Sequence, residues 1–200
     1  MVSGRRQIAL ASFLSALTLF PASCTKHHRG EPVSIDTTAV REGDLVFRCG
    51  LGMESKLVTS LSKGDYSHVG MLHRDSVQGW MVVHAVPYEH SEEERVDRVK
   101  CEPVDSFFSV MRACAGRTYR IDCPDSVATA AVVYALRKVS EGVEFDYDYD
   151  TEDSTSLYCT ELVWRSYLSA GINLVPEPDH PHPMHPSEAS IIFPSDFINE

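Results

Sequence analysis

Two short apolar runs near the middle of the chain constrain its fold most strongly. They cover residues 67–72 and 80–86, and a turn around residues 75–79 separates them. Runs of this length joined by a short turn are typical of a β-hairpin, so we expect the two strands to pair antiparallel. His68 begins the first run and His84 lies in the middle of the second. Pairing of these strands would bring the two imidazoles onto one face, within hydrogen-bonding reach.

The rest of the pattern predicts one domain of the α+β class. Strands are grouped first, helices stand at the ends of the pattern, and 200 residues are typical of a single domain. Gly142 and Gly171 are the expected ends of the last two helices. Residues 89–100 are dense in charge and predict a solvated loop or an exposed strand. We predict further strands at residues 45–47 and 117–122, and helices at residues 53–62, 124–141 and 157–170.

The N-terminus has the pattern of a secretory signal. Arg5 and Arg6 precede an apolar run at residues 8–20, and small residues lead to Cys24. The apolar run is shorter than the ~20 residues that a membrane-spanning helix needs. Small residues before a cysteine are typical of a bacterial lipoprotein site, which predicts lipidation of Cys24. The alternative is ordinary signal cleavage nearby, with Cys24 incidental.

These features predict an exported, lipid-anchored protein of the bacterial cell envelope. We expect a signal peptide at residues 1–23, a flexible tether at 24–40 and the folded domain at 41–200. Loss of the signal removes two arginines and no acidic residue, which changes the net charge from −11 to −13. This strongly negative net charge argues against nucleic acid as a partner and against adhesion to anionic lipid. Membrane contact is expected only through the lipid on Cys24.

The cysteines do not follow a zinc pattern. Export permits disulfides, so a bridge among Cys49, Cys101, Cys114 and Cys123 is open, and the sequence does not choose a pairing. Two other segments, the acidic residues 146–153 and the His/Pro-rich residues 179–186, lack the spacing of calcium and zinc motifs. We therefore expect no metal and no cofactor.

The last predicted helix carries the remaining cysteine, Cys159. Ser154, Thr155 and Ser156 are candidate N-caps, which would place Cys159 in the first turn. Unpaired backbone amides and the helix dipole at that position favour a thiolate and predict a lowered thiol pKa. Buried structural cysteine is the alternative. The face of the helix that includes Cys159 is expected to point into the domain; it continues through Leu162, Val163, Ser166, Tyr167 and Ala170.

A cysteine nucleophile needs a base, and the base needs a group that orients it. His68 is the candidate base, and His84 on the paired strand is the candidate orienting group. An isolated histidine on a strand is otherwise a structural residue with satisfied hydrogen bonds.

Three motifs together resemble the YiiX-like permuted papain-like amidases, relatives of the NlpC-type cell-wall peptidases and, more distantly, of lecithin:retinol acyltransferase. The motifs are Gly-Asp-Leu-Val-Phe at residues 43–47, Ser-His-Val-Gly-Met at 67–71, and Tyr-Cys-Thr-Glu-Leu-Val-Trp at 158–164. They follow the family's order, with histidine first and cysteine last, and the resemblance spans about residues 41–198.

The resemblance implies a circularly permuted papain-like fold, with an antiparallel sheet or small barrel packed against helices and the catalytic cysteine at the N-terminus of the last helix. It also implies acyl transfer, with Cys159 as nucleophile and His68 as base. Family members often have Glu at the position of His84, which leaves the tuning of His68 open. Tyr66 is a candidate oxyanion donor or a packing residue, and Asp65 a substrate contact or a turn cap.

The predicted function is cleavage of an amide bond in a cell-wall peptide or an N-acyl compound, through a thioester on Cys159. Two alternatives remain. A lipid-directed acyltransferase or esterase would use the same residues. A catalytically silent lipoprotein that binds a ligand in the same cleft is favoured by the histidine at position 84.

Overall fold

The computed structural model describes residues 32–90, 95–176, 180–181 and 190–198. Its principal elements, in chain order, are β1 (Leu45–Gly50), α1 (Met53–Ser62), β2 (His68–Asp75), β3 (Gly79–His90), β4 (Arg95–Pro103), α2 (Val104–Phe107), β5 (Ala113–Tyr119), α3 (Asp125–Glu141), α4 (Cys159–Ser169), β6 (His180–Pro181), β7 (Ser190–Ile191) and a 3₁₀ helix (Pro194–Phe197).

One antiparallel sheet organises the domain, with the strand order β4-β3-β2-β1-β5. The predicted hairpin is confirmed, because β2 and β3 pair with Met71 opposite Val83. Between the described parts of β4 and β5 no pairing closes the sheet, so the architecture is an open sheet rather than a barrel. The sheet therefore has two faces, and each must be covered.

The long helices cover one face. α4 packs on β2 and β3, and α3 packs on α4 and on β2, β3 and β4. Leu45, Met71, Val83 and Leu162 are fully buried in this core. Burial of a side chain of this size contributes about 1.5–3 kcal/mol, so this layer anchors the helix that carries Cys159.

The other face is covered by α2 and by residues that precede β1. Val33, Ile35 and Val40 pack there against a second cluster that includes Phe107 and Phe108. The last part of the predicted tether is thus in contact with the sheet, and the packed chain begins before residue 41. The predicted signal peptide and Cys24 lie outside the described residues.

The fifth strand begins earlier than the sequence indicates. The pattern predicts residues 117–122, whereas β5 covers Ala113–Tyr119. Arg120 leaves the strand because its guanidinium binds Asp44 at 2.7 Å and donates to the carbonyl of Ala39. The charged residues 89–100, predicted as a solvated loop or an exposed strand, belong to strands where they are described, and Val99 on β4 is buried in the core.

The predicted helices are confirmed, although α3 begins one residue later than predicted and α4 covers Cys159–Ser169 instead of residues 157–170. The predicted stop, Gly142, is the residue that caps the end of α3 and adopts the left-handed conformation at φ 68°. α1 has the predicted bounds, yet Met53, Leu57 and Leu61 face solvent rather than the core. In the described residues no helix is both long and apolar enough to cross a membrane.

Gly70 lets β2 approach β3 closely beside the two histidines. A Cβ at position 70 would lie 2.5 Å from Val82 Cγ1 and 3.1 Å from the Cβ of His84. We expect Gly70→Ala to lower the free energy of unfolding by about 1–3 kcal/mol, since the strands must separate to admit the methyl group. Urea denaturation followed by circular dichroism measures this.

Gly52→Ala is the matched control, because a Cβ there meets no atom within 4 Å. Its cost should stay below about 1 kcal/mol, the scale of a cap substitution. Equal stability of the wild type and Gly70→Ala would contradict the close approach.

Candidate active site

Cys159 is the first residue of α4, whereas Ser156 as the cap would have made it the third. Tyr158 is the N-cap residue, with extended backbone at φ −94° and ψ 172°, and no side chain caps this end. The predicted caps at residues 154–156 are therefore wrong. Packing fixes the start instead: Tyr158 is buried, and its hydroxyl accepts a hydrogen bond from the backbone N–H of Ile192 at 3.1 Å.

The predicted inward face of α4 is confirmed through its first two turns. Leu162, Val163, Ser166 and Tyr167 are buried, while Ala170 beyond the helix end is half-buried. The Tyr167 hydroxyl donates to the carbonyl of Gly43 at 2.7 Å. That bond ties the helix to the entry of β1, and so fixes Cys159 relative to the sheet.

The thiol of Cys159 lies against backbone amides. The N–H groups of Val69, Thr160 and Cys159 itself face the sulfur, and the charge of Arg48 also favours the thiolate. Burial nevertheless raises the pKa of the Cys159 thiol above its ordinary value, because desolvation outweighs these groups. The expected lowering of this pKa by the helix N-terminus is therefore wrong for the resting site.

His68 and His84 form a direct hydrogen bond. Nε2 of His68 lies 2.8 Å from Nδ1 of His84, and both rings are buried. The ring of Phe107 packs against both imidazoles, with centroids at 5.7 and 5.1 Å. The two histidines are thus held by a strand pairing and by an aromatic wall.

Glu102 on β4 extends this pair and was missed in the sequence. Its Oε1 lies 3.0 Å from Nε2 of His84, and its Oε2 binds Lys100 at 3.0 Å and Arg112 at 2.8 Å. Lys100 pairs with His84 across the strands, so Glu102, two residues on, shares that face. Alternation over residues 98–103 predicts that Lys100 and Glu102 share a face, but only the pairing with β3 shows that His84 lies on that face.

The carboxylate of Glu102 determines the tautomers of both histidines. Burial opposes its ionisation, but the hydrogen bond with His84 and the charge of Lys100 outweigh burial and hold the Glu102 pKa well below its usual range. An ionised carboxylate only accepts hydrogen bonds, so Nε2 of His84 carries a proton and Nδ1 does not. His68 must then donate from Nε2, which leaves its Nδ1 unprotonated as a base.

Both histidines are neutral at rest. Burial lowers the pKa of His84 to about 4, even though Glu102 opposes this shift. Burial, followed by the charge of Arg48, lowers the pKa of His68 well below 6.5. Since the thiol pKa of Cys159 is raised, the resting site contains a thiol and a neutral imidazole rather than an ion pair.

A cleft of about 170 Å³ gives access to Cys159 and His68. Cys159 and His68 both line it, and His68 has Nδ1 left for the cysteine because Nε2 binds His84. Other residues of the cleft wall are Arg48, Gly50, Leu51, Val58, Arg112 and Tyr149.

Asp65 and Tyr66 lie in a neighbouring cavity rather than in this cleft. That cavity measures about 390 Å³ and is also lined by Lys63, Arg117 and Ser195. Tyr66 packs its ring against Phe47 at 5.8 Å. The structure thus brings together Cys159, His68 and His84, and places the two predicted substrate contacts apart from them; their role in substrate binding stays a prediction.

The acidic loop at residues 146–153 is organised by an arginine. Arg165 donates to the carbonyls of Thr151, at 2.8 Å, and Asp153, and its Nε binds Glu161 at 2.6 Å. Those carbonyls are the type of ligand that calcium uses, and here a guanidinium binds them. Over the described part of the chain, no group of three or more His, Cys, Asp or Glu side chains could hold a metal ion.

Comparison with known proteins agrees with this geometry. Residues 39–185 match the model of a family described as permuted papain-like amidase enzyme, YaeF/YiiX, C92 family. The protein named uncharacterized protein YiiX of Escherichia coli K12 is 26% identical over 128 residues, 64% of this chain and 57% of that relative. The chain thus matches less than two thirds of the relative's length.

A solved structure has the same fold. It is the crystal structure of a protein described as metalloprotein yiiX from Escherichia coli O157:H7, with a TM-score of 0.61 at 20% identity. The superposition covers 78% of this chain and 91% of that one.

The buried histidines make stability depend on pH. The unfolded chain takes up protons on His68 and His84 below about pH 6.5, and the folded protein does not, so their contribution is lost as pH falls toward 4. We expect the difference in unfolding free energy between the wild type and His84→Gln to shrink by about 2 kcal/mol from pH 7 to pH 5.

Urea denaturation at a series of pH values measures this difference. The comparison with the variant removes other titrating groups from the result, such as Glu161, whose pKa burial raises to about 8. Parallel pH profiles for the two proteins would contradict a neutral, buried His84.

Proposed function

The chain belongs to the permuted papain-like amidase family, and from this premise we propose that it hydrolyses an amide bond through a thioester on Cys159. The family supports a cysteine amidase or peptidase. The observation that carries the proposal is the hydrogen-bonded series His68–His84–Glu102, which we call the relay, beside the cysteine in one cleft.

In the first step Cys159 attacks the substrate carbonyl. Because thiol and imidazole are both neutral at rest, the proton moves from Sγ to Nδ1 of His68 as the carbon–sulfur bond forms. The relay stabilises the imidazolium that results: His68 donates to His84, and His84 donates to the Glu102 carboxylate. The imidazolium then protonates the leaving amine, and the acyl group remains on Cys159 as a thioester.

In the second step water releases the acyl group. His68 removes a proton from water, the hydroxide attacks the thioester, and the product acid leaves as Cys159 regains its proton. Backbone amides are the expected oxyanion donors, since the first N–H groups of α4 have no partner within the helix. The N–H of Cys159 is the nearest of them.

Glu102 answers the question raised by the histidine at position 84. A neutral imidazole alone stabilises an imidazolium weakly. Here His84 links His68 to the carboxylate of Glu102, which Lys100 and Arg112 keep ionised. The negative charge of Glu102 therefore stabilises an imidazolium on His68 through His84. A histidine at this position is therefore compatible with catalysis, which weighs against the silent binding protein.

We assign His68, His84 and Glu102 to proton transfer rather than to metal binding. The E. coli protein of known structure is described as a metalloprotein. In this chain both ring nitrogens of His84 are already bonded, to His68 and to Glu102, and Glu102 is bonded to two cations. These residues do not fit a metal centre, so the chemistry is derived from protein groups.

The cell envelope is the proposed location. The basic start, the apolar run at residues 8–20 and Cys24 support export and lipidation. Cys24 precedes the first described residue, Pro32, by eight positions, and this length of extended chain spans roughly 28 Å. An anchored domain would thus remain close to the membrane surface.

Loss of Glu102 should impair turnover. We expect Glu102→Gln to lower kcat by roughly 10²-fold or more, because the amide can rotate to donate to His84 and favour the wrong tautomer of His68. A panel of peptide amides and N-acyl amino acids, followed by liquid chromatography, supplies the assay. Cys159→Ala should lose activity and fail to form the acyl-enzyme, which mass spectrometry detects.

Glu42→Gln is the matched control, because Glu42 also bonds a histidine, His73, at 2.8 Å but on the partly exposed rim of the sheet. Its kcat should equal that of the wild type. Full activity of Glu102→Gln, or of Cys159→Ala, would overturn the proposed mechanism.

A lipid-directed hydrolase or acyltransferase is the second candidate, favoured by α1. This helix has no buried residue, and Met53, Leu57 and Leu61 recur every four positions on its exposed side. Val58 on the same helix lines the cleft. An apolar surface at the mouth of the cleft would bind the acyl chain of a lipid substrate.

Leu57→Lys tests this candidate. If the exposed side of α1 binds an acyl chain, the ratio of kcat/KM for long-chain over short-chain acyl substrates should fall about tenfold, the scale of one lost leucine contact. Val133→Lys on α3 is the control, since both side chains are 60% exposed. Unchanged chain-length preference in Leu57→Lys would leave the peptide or small amide as the substrate.

A further inference from the structure

Two cysteines meet at a β-bulge where β1 pairs with β5. Cys49 lies opposite Ala115, while the next residue, Gly50, lies opposite Ala113. Cys114 is therefore an extra residue on β5. Regular alternation would place Cys49 and Cys114 on opposite faces of the sheet. The bulge breaks that alternation, and the two side chains share one side.

Their sulfur atoms converge on one carbonyl group. Sγ of Cys49 and Sγ of Cys114 lie 3.8 and 3.9 Å from the carbonyl oxygen of Gly50. Sγ of Cys114 also lies 3.3 Å from the backbone carbonyl oxygen of Cys49. Burial, followed by a hydrogen bond with Cys114, raises the pKa of Cys49 to about 11. The thiols are thus direct neighbours, and both are partly accessible.

The bulge places the two side chains where a disulfide could form. At a bulge two residues of one strand share one partner on the other, so Cys114 lies beside Ala115 rather than directly opposite Cys49. The approach of both sulfur atoms to the carbonyl of Gly50 shows that they lie on one side, as a disulfide requires. Cys101 lies on β4, at the opposite edge of the sheet, and Cys123 lies beyond the end of β5. Among the cysteines of the described chain, Cys49 and Cys114 are the pair brought together.

We propose that Cys49 and Cys114 are a modification site that forms a disulfide next to Gly50, a residue of the cleft wall. The oxidant is a disulfide, either of a small thiol or of a protein dithiol. The Cys114 thiolate attacks it, which gives a mixed disulfide and releases one thiol; the Cys49 thiolate then attacks Cys114 and releases the second. Two cysteine thiols lose two protons and two electrons, and the oxidant's disulfide is reduced to two thiols.

The bridge lies where it affects the cleft. Gly50 lines the cleft, and its N–H donates to Oγ of Ser67 at 3.0 Å. Ser67 directly precedes His68. A Cys49–Cys114 bridge would thus fix the segment that leads from β1 to α1 and its hydrogen bond beside the base. This inference does not depend on the proposed amidase activity.

Peptide mapping of the full chain tests the bridge. The protein is treated with glutathione disulfide, free thiols are blocked with N-ethylmaleimide, and the chain is digested with trypsin without reduction. Cleavage after Arg48, Lys56, Arg112 and Arg117 isolates Cys49 in peptide 49–56 and Cys114 in peptide 113–117. We expect these two peptides as one species, lighter by two hydrogen atoms than their sum, which dithiothreitol separates.

Thermal stability gives a second readout. Dithiothreitol should lower Tm of the oxidised wild type by roughly 5–10 °C, as expected for loss of a bridge that closes a long loop. Cys114→Ser should show no such shift, and Cys123→Ser should behave as the wild type. Alkylation of both peptides as free thiols after oxidation, or a bridge that involves Cys101 or Cys123, would overturn the proposal.

Discussion

The hydrogen bond between His68 and His84 is the interaction on which the rest of the site depends. It exists because β2 and β3 pair in one register, and because Gly70 allows the strands to approach. A shift by one residue would turn every side chain of a strand to the opposite face and separate the rings. The pairing of β4 with β3 brings Glu102 to His84, so one continuous set of strand pairings brings His68, His84 and Glu102 together.

The sheet buries this polar series, and burial decides its state. Burial disfavours the charged forms of the imidazoles and of the Cys159 thiol, so the carboxylate of Glu102 is the one ionised member of the relay, held by Lys100 and Arg112. Lys100 and Arg112 therefore act on the site through the carboxylate of Glu102. They offset the cost of keeping a negative charge where the histidines need an acceptor.

Local signals in the sequence were sufficient for the elements but not for their termini. The hairpin, α1, and the glycine at the end of α3 follow from alternation, helical spacing and turn chemistry. The start of α4 does not, because the contact of Tyr158 with Ile192 lies 34 residues away and overrides three good capping residues. Glu102 escaped for a related reason: its strand is rich in charge, and only its pairing with β3 shows which charges face inward. The thiol pKa of Cys159 was misjudged because helix position is visible in the sequence and desolvation is not.

The order of the elements has a consequence for synthesis. The strands that hold the relay follow one another from residue 45 to residue 103, whereas the proposed nucleophile is residue 159. A ribosome-bound chain can pair its first four strands before the last helix has emerged. Such a chain has the proposed base but not the proposed nucleophile, so the chemistry proposed for the site must wait until the C-terminal quarter has docked.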